Sequence, residues 1–279
     1  MVTHNNWLRT NIKERIDNKK SNFSVDFFPY KFTHLSFQEE CNITCTMLSK
    51  KYSSIFIGLS GGIDSEFLCQ IFHRNQIKFT PIITVYEDNS KESSYAFEFC
   101  KKNNLSPIVL ELDQIQVAKI IQKDIVEKLN GVGFYSVGAI AAARYAEKSG
   151  DVFIEAQHIF GDGEELIQNF DYYLAEWDFY NTVLVKLDIV PFFLYRLELV
   201  ASMLKEVKEE FVNWKNLKSC VFDCPIREKI RPEYGNKIQK LNSLFLLRNR
   251  KNNPTFRFDF GKFYNLWEKI NYANVQKSS

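Results

Sequence analysis

Six consecutive residues, Ser60-Gly61-Gly62-Ile63-Asp64-Ser65, carry the clearest chemical content in the chain. Adjacent glycines let a backbone approach an anion closely. A turn that opens a helix adds inward-pointing N–H groups and the positive end of the helix dipole. The hydroxyls of Ser60 and Ser65 add donors. Asp64 beside a phosphate is a conflict of charge, which a Mg²⁺ ion resolves when a carboxylate and phosphate oxygens share it. No Gly-Lys-Ser/Thr follows the glycines, so this is not a Walker turn and a kinase or GTPase reading has no support. A second acidic group, Asp162, Glu164 and Glu165, follows later, and a basic stretch lies at Pro225-Ile226-Arg227-Glu228-Lys229-Ile230-Arg231-Pro232.

The cysteines are the other chemical candidates. Cys41/Cys45 and Cys220/Cys224 share a spacing that puts both thiols of a pair on one helix face. Four such thiolates could hold zinc or an iron–sulfur cluster, but the usual clusters have two intervening residues and nearby turn signals. Buried small hydrophobes are the favoured reading. His158 reads as a strand-end histidine, since no second His lies at ligand spacing.

The elements that must position the turn follow from hydrophobic pattern. Residues 1–35 form a polar, poorly periodic arm. A helix is predicted over 36–51, with Leu35, Phe37, Ile43, Met47 and Leu48 mainly on one side. Strands are predicted over 54–59, 79–86, 106–112 and 151–160, alternating with helices from about 64–74, 90–103, 113–129 and 136–148. That alternation predicts an α/β fold, a parallel sheet sandwiched by helices, with ligands at the carboxyl ends of its strands. Beyond about 165 the pattern changes: an aromatic run from Phe170 to Tyr180, a long amphipathic helix over 190–210, then a basic, irregular segment. The division is therefore an arm (1–35), an α/β domain (36–165) and a mainly helical C-terminal region (166–279).

Composition agrees. The 279 residues, 45% hydrophobic and 25% charged, suit a globular protein with a large core. Aromatics at 15%, with 25 Phe among them, mean that much of this core is built from rings. A net charge of +2 excludes nucleic-acid binding by bulk charge. The polar N-terminus has no apolar signal region and no run spans a bilayer, so a cytoplasmic location with free thiols and no membrane partner is expected.

The Ser-Gly-Gly-x-Asp-Ser pattern after a hydrophobic strand resembles the PP-loop of N-type ATP pyrophosphatases, which split ATP between the α- and β-phosphates. From about Ser36 to Tyr173 the chain looks most like the synthetase domain of asparagine synthetases and β-lactam synthetases. The resemblance implies an adenine nucleotide α-hydrolase-like fold, with ATP and Mg²⁺ as cofactors. It places Leu59, Ser60, Gly61, Gly62, Asp64 and Ser65 at the nucleotide, with Val85 on the strand (Ile83 to Tyr86) that receives the adenine. Glu92, Tyr95 and Ala96 resemble the next helix. Phe160-Gly161-Asp162-Gly163-Glu164-Glu165-Leu166 resembles the family's second motif, followed by Tyr172 and Tyr173, with Gly161 at the nucleotide and Asp162 catalytic. Asp64, Asp162, Glu164 and Glu165 then form the metal set. Lys229, with Arg227 and Arg231 behind it, is the implied cation for departing pyrophosphate.

The second motif departs from the family, with one residue fewer between Gly163 and the acidic pair. Another register ends the strand at Glu155-Ala156, giving Glu155-Ala156-Gln157-His158, similar to the Thr-Gly-His stretch of PP-loop enzymes that modify tRNA. The Gly-Asp-Gly register is preferred because it gathers three acids near one metal. The implied activity is an AMP-forming ligase that adenylates a carboxylate and passes it to ammonia or an amine, an amide-forming step. Residue 2 is Val, and too few residues precede the turn for a glutaminase domain. Nitrogen is therefore expected from ammonia, an amine or a separate donor enzyme. The rivals are a tRNA-modifying enzyme, with tRNA a less favoured partner, and a nucleotide-binding module without catalysis.

Overall fold

The structure is a computed structural model that describes residues 2–3, 8–10, 25–27, 35–86, 89–120, 123–124, 137–156 and 185–209. The N-terminal arm holds three short strands, β1 (Val2–Thr3), β2 (Leu8–Thr10) and β3 (Val25–Phe27), paired antiparallel in that order. The sequence predicts no strand there, because segments of two or three residues are too short to show an alternating pattern.

Helix α1 (Phe37–Lys51) begins at a capping box: Ser36 accepts from the Glu39 N–H while the Glu39 carboxylate accepts from the Ser36 N–H. Its buried stripe is Phe37, Cys41, Cys45 and Leu48, with Met47 exposed instead. The stripe therefore runs through the cysteines. Cys41, Cys45, Cys69 and Cys100 are all free and buried. Burial raises Cys45 and Cys100 to about 11 and Cys41 well above its usual value, so these thiols are inert small hydrophobes.

Next come β4 (Ile55–Gly58), α2 (Ile63–Arg74), β5 (Thr80–Val85), α3 (Ser90–Lys102), β6 (Ile108–Glu111), α4 (Gln114–Ile120), α5 (Val137–Ser149) and β7 (Val152–Glu155). A fifth strand, β8 (Asp188–Pro191), leads through a 3₁₀ turn (Phe192–Leu194) into α6 (Leu197–Glu209). All five strands are parallel, in the order β6-β5-β4-β7-β8. This is the expected α/β architecture. Right-handed crossovers run one way from β4 to β6 and the other way to β7, so α2 and α3 cover one face and α5 the other. The order reverses between β4 and β7, which puts the ligand crevice at their carboxyl ends.

Two expectations change. The helix predicted over 190–210 starts only at Leu197, because the β-branched pair Ile189-Val190 joins the sheet beside β7 and Pro191 ends it. The sheet thus takes its edge strand from beyond residue 165. Strand β7 ends at Glu155, opposite Gly58 at the end of β4, and residues 157–160 of the predicted strand lie outside the described residues. Of the region 166–279, only 185–209 is among the described residues. None of the described helices is long and apolar enough to cross a membrane.

The core is aromatic, as composition implies. The Phe37 ring stacks on Phe67 at 5.9 Å and Phe67 on Phe193 at 5.5 Å. Phe192 meets Phe193 edge-on at 5.2 Å and Phe72 at 5.9 Å. These contacts join α1 and α2 to the turn after β8. Arg196 completes the junction: its guanidinium donates to Glu40 of α1 at 2.7 Å and pairs with Glu198 of α6 at 3.1 Å.

Candidate active site

The hydrophobic strand β4 must end where its side chains can no longer be covered, and it ends in the glycine turn. Leu59 is fully buried, and its N–H donates to the Ile82 carbonyl of β5 at 2.9 Å, so the turn departs from the middle of the sheet. Gly61 has φ +91°, and a Cβ there would lie 2.0 Å from the Glu92 carbonyl oxygen. Only glycine fits, because the conformation is left-handed and α3 lies against the turn. Gly62 is the N-cap of α2 and supplies no side-chain cap.

The serines fix the turn from within. The Ser65 hydroxyl donates to the Gly62 carbonyl at 2.9 Å and accepts from the Ser60 N–H at 3.1 Å. The two serine hydroxyls lie 3.1 Å apart, and the Gly62 N–H donates to Ser60 Oγ at 3.3 Å. Ser65 is buried and Ser60 is exposed. The turn is thus pre-formed: it stores its geometry in short-range bonds and ends at the positive pole of a twelve-residue helix.

Asp64, half-buried in the first turn of α2, is brought to this place as the sequence implies. Glu92 is an acid that sequence reasoning attached only to the following helix. Its Oε1 lies 3.7 Å from where a Cβ on Gly62 would stand. Two carboxylates flanking one anion turn suit a divalent cation bound jointly with phosphate oxygens. Among the described residues no group of three or more His, Cys, Asp or Glu is placed to hold a metal by itself. Val85 ends β5 next to the turn's own strand, with its carbonyl accepting from the Leu112 N–H at 2.8 Å. Asn89 closes the β5–α3 connection by accepting from the Tyr86 N–H and donating to the Thr84 carbonyl.

On the other side of β4, Glu155 ends β7. It is buried, and neither carboxylate oxygen has a hydrogen-bond partner. Burial raises its pKa from 4.5 to about 8. Glu155 lies inside the strand predicted over 151–160, and nothing in the residue order shows that it is buried. Gly161, Asp162, Glu164, Glu165 and Lys229 lie outside the described residues, as do His158, Arg227, Arg231, Cys220 and Cys224.

No protein-family model and no curated protein matches the chain. Among solved structures it is similar to an NH3-dependent NAD synthetase from Campylobacter jejuni subsp. jejuni NCTC 11168, at 18% identity over 77% of this chain and 96% of that one, TM-score 0.37. An NMN synthetase from Francisella tularensis gives 15% identity over 78% and 96%, TM-score 0.36. A glutamine-dependent NAD+ synthetase from Acinetobacter baumannii gives 14% over 82% and 51%, TM-score 0.34. A likeness this distant carries no functional argument, which rests on the turn and its neighbours.

Proposed function

We propose that the chain is an ATP-dependent, AMP-forming ligase that adenylates a carboxylate and transfers the acyl group to ammonia or an amine. The observation that carries this reading is the pre-formed Ser60–Ser65 turn, with Gly61 left-handed against α3, at the end of the central strand. Such a turn binds phosphate through backbone N–H groups and two hydroxyls, and the Ser-Gly-Gly-x-Asp-Ser sequence is that of enzymes cleaving ATP between α and β. In this reading Leu59 and Val85 shape the floor under the nucleotide. Asp64, with Glu92 beside it, would hold Mg²⁺, and the ion supplies charge neutralisation on the phosphates when bound. The chain's own part is to orient the α-phosphate toward the attacking carboxylate and to stabilise developing charge with donors already in place.

Asp162, Glu164 and Glu165 remain proposed as the opposite wall, and Lys229 as the group that meets pyrophosphate. The burial of Cys41, Cys45, Cys69 and Cys100, with the thiols of Cys41, Cys45 and Cys100 pushed up by it, argues against these four in a thiolation mechanism. Incubation of the protein with Mg-ATP and pools of carboxylates and amines tests the reading. AMP and pyrophosphate in equal amounts are expected; ADP and phosphate instead would overturn it.

A further inference from the structure

The two walls of the crevice differ in chemistry. On the α2 face stands the anion turn. The other face is set by the register: Phe56 pairs with Phe153, and Ile57 with Ile154, so Glu155 lies one step on, beside Gly58. Phe56 meets Tyr145 of α5 edge-on, and Thr84, which shares that face, donates to the Gly138 carbonyl of α5 at 3.2 Å. By alternation Phe56, Gly58, Phe153 and Glu155 all belong to the α5 face. Gly58 has no side chain, and the Phe153 ring packs over it so closely that a Cβ there would meet the ring at 3.0 Å. Glu155 therefore ends the strand at the point of order reversal, buried, next to the turn's strand and on the face away from the phosphates.

A buried carboxyl without a partner costs free energy that a structural role does not repay. Among the described residues, the elements around it place no countercharge against it. Strand β4 contains no titratable residue, and Asp188 of β8 sits opposite Val152 at the far end, bonded to Tyr52 and Lys51. The half of α5 nearest the strand ends, Val137 to Ala143, is uncharged; Arg144, Tyr145, Glu147 and Lys148 lie in its other half. After β8, Arg196 is engaged by Glu40 and Glu198. The described charged side chains around the turn are the acids Asp64, Glu66 and Glu92.

We infer that Glu155 is the binding and proton-accepting residue for the amine substrate, taking the nitrogen on the face opposite the phosphate turn. The inference rests on the amide-forming reading above and names the residue that serves its second half. In that step the amine nitrogen bonds to the acyl carbon, the carbon–oxygen bond to AMP breaks, and the electron pair leaves on the AMP phosphate. The proton released from nitrogen passes to the Glu155 carboxylate. Its elevated pKa suits this role, because a base poised near the working pH both holds and releases a proton readily.

Methylammonium chloride serves as probe, with tetramethylammonium chloride at equal concentration as a cation that cannot donate a hydrogen bond. Thermal unfolding of the full chain is followed at pH 6 and pH 9. At pH 9, where Glu155 is ionised, methylammonium should raise Tm over tetramethylammonium by about 2–4 °C. At pH 6 the difference should vanish, and Glu155→Gln should show none at either pH. The wild-type contrast between the two pH values stands by itself if the variant folds poorly. Equal responses at both pH values, no response at pH 9, or an unchanged response in Glu155→Gln overturns the inference. Formation of ADP in the product assay would instead sink the ligase reading, while the methylammonium response would still report whether Glu155 binds an amine.

Discussion

The two ends of the parallel sheet treat their polar groups in opposite ways. At the amino ends, Asp151 accepts from the Ser53 N–H at 3.0 Å, the Ser54 N–H at 3.0 Å and the Ser53 hydroxyl, and these bonds hold its pKa below the usual value. Asp188 at that end takes the Tyr52 hydroxyl at 2.6 Å. At the carboxyl ends, Glu155 is buried with no hydrogen-bond partner, and the glycine turn lies beside Asp64 and Glu92. Polar groups at the first end are satisfied by the chain itself. At the second the groups of the turn bond one another, while the buried Glu155 carboxyl oxygens have no hydrogen-bond partner among the described residues.

Substitution at Gly61 attacks that contrast hardest. Gly61→Ala forces a left-handed residue with a Cβ into the Glu92 carbonyl, so the turn must deform. A loss of roughly 2–4 kcal/mol in urea unfolding and abolition of pyrophosphate release are expected. Wild-type turnover by this variant would show that the turn is only a connection. Asp64→Asn should leave unfolding nearly unchanged yet slow pyrophosphate release about 10²–10³-fold, because charge at the phosphates is lost without loss of packing.

The ends should also titrate in opposite senses. Glu155 keeps a proton in the folded chain up to about 8 that the unfolded chain loses near 4.5. Its contribution therefore favours folding most below 4.5 and declines as pH rises toward 8. Between pH 5 and pH 9, Glu155→Gln should gain roughly 5 °C or more in Tm relative to wild type. Parallel Tm curves for the two proteins would contradict this. Asp151 works the other way: its contribution is present above about 3.8 and disappears as pH falls below that value. The smallest effect belongs to Asp151→Ala, a modest drop in Tm above pH 5 with kcat unchanged. A change in kcat would mean that the amino ends are not mere scaffold.

Much of this was legible from residue order. A run such as Ile55-Phe56-Ile57 followed by Gly61-Gly62 specifies strand, turn and helix locally, so the turn and its role in the fold could be read directly. Other features depend on distant partners. Val190-Pro191 reads as the start of an amphipathic helix until β7 is there to pair with it. Glu155 reads as an acid inside the strand predicted over 151–160, and its burial depends on tertiary packing that residue order does not show. The buried face of α1 was blurred because its centre is cysteine and threonine rather than large aliphatics.

The junction of α1 with α6 has a consequence for how the protein is made. Glu40 meets Arg196 across 156 residues, and the Phe37 N–H donates to Glu206 across 169. At about 5–20 residues per second, a ribosome takes roughly 8–30 s to travel from Glu40 to Arg196. Throughout that interval α1 is complete but lacks its ion pair with Arg196, and its Phe37–Phe67 stack lacks the Phe192-Phe193 lid. The nascent chain thus carries an open aromatic face over that interval, the kind of surface that chaperones hold until α6 arrives.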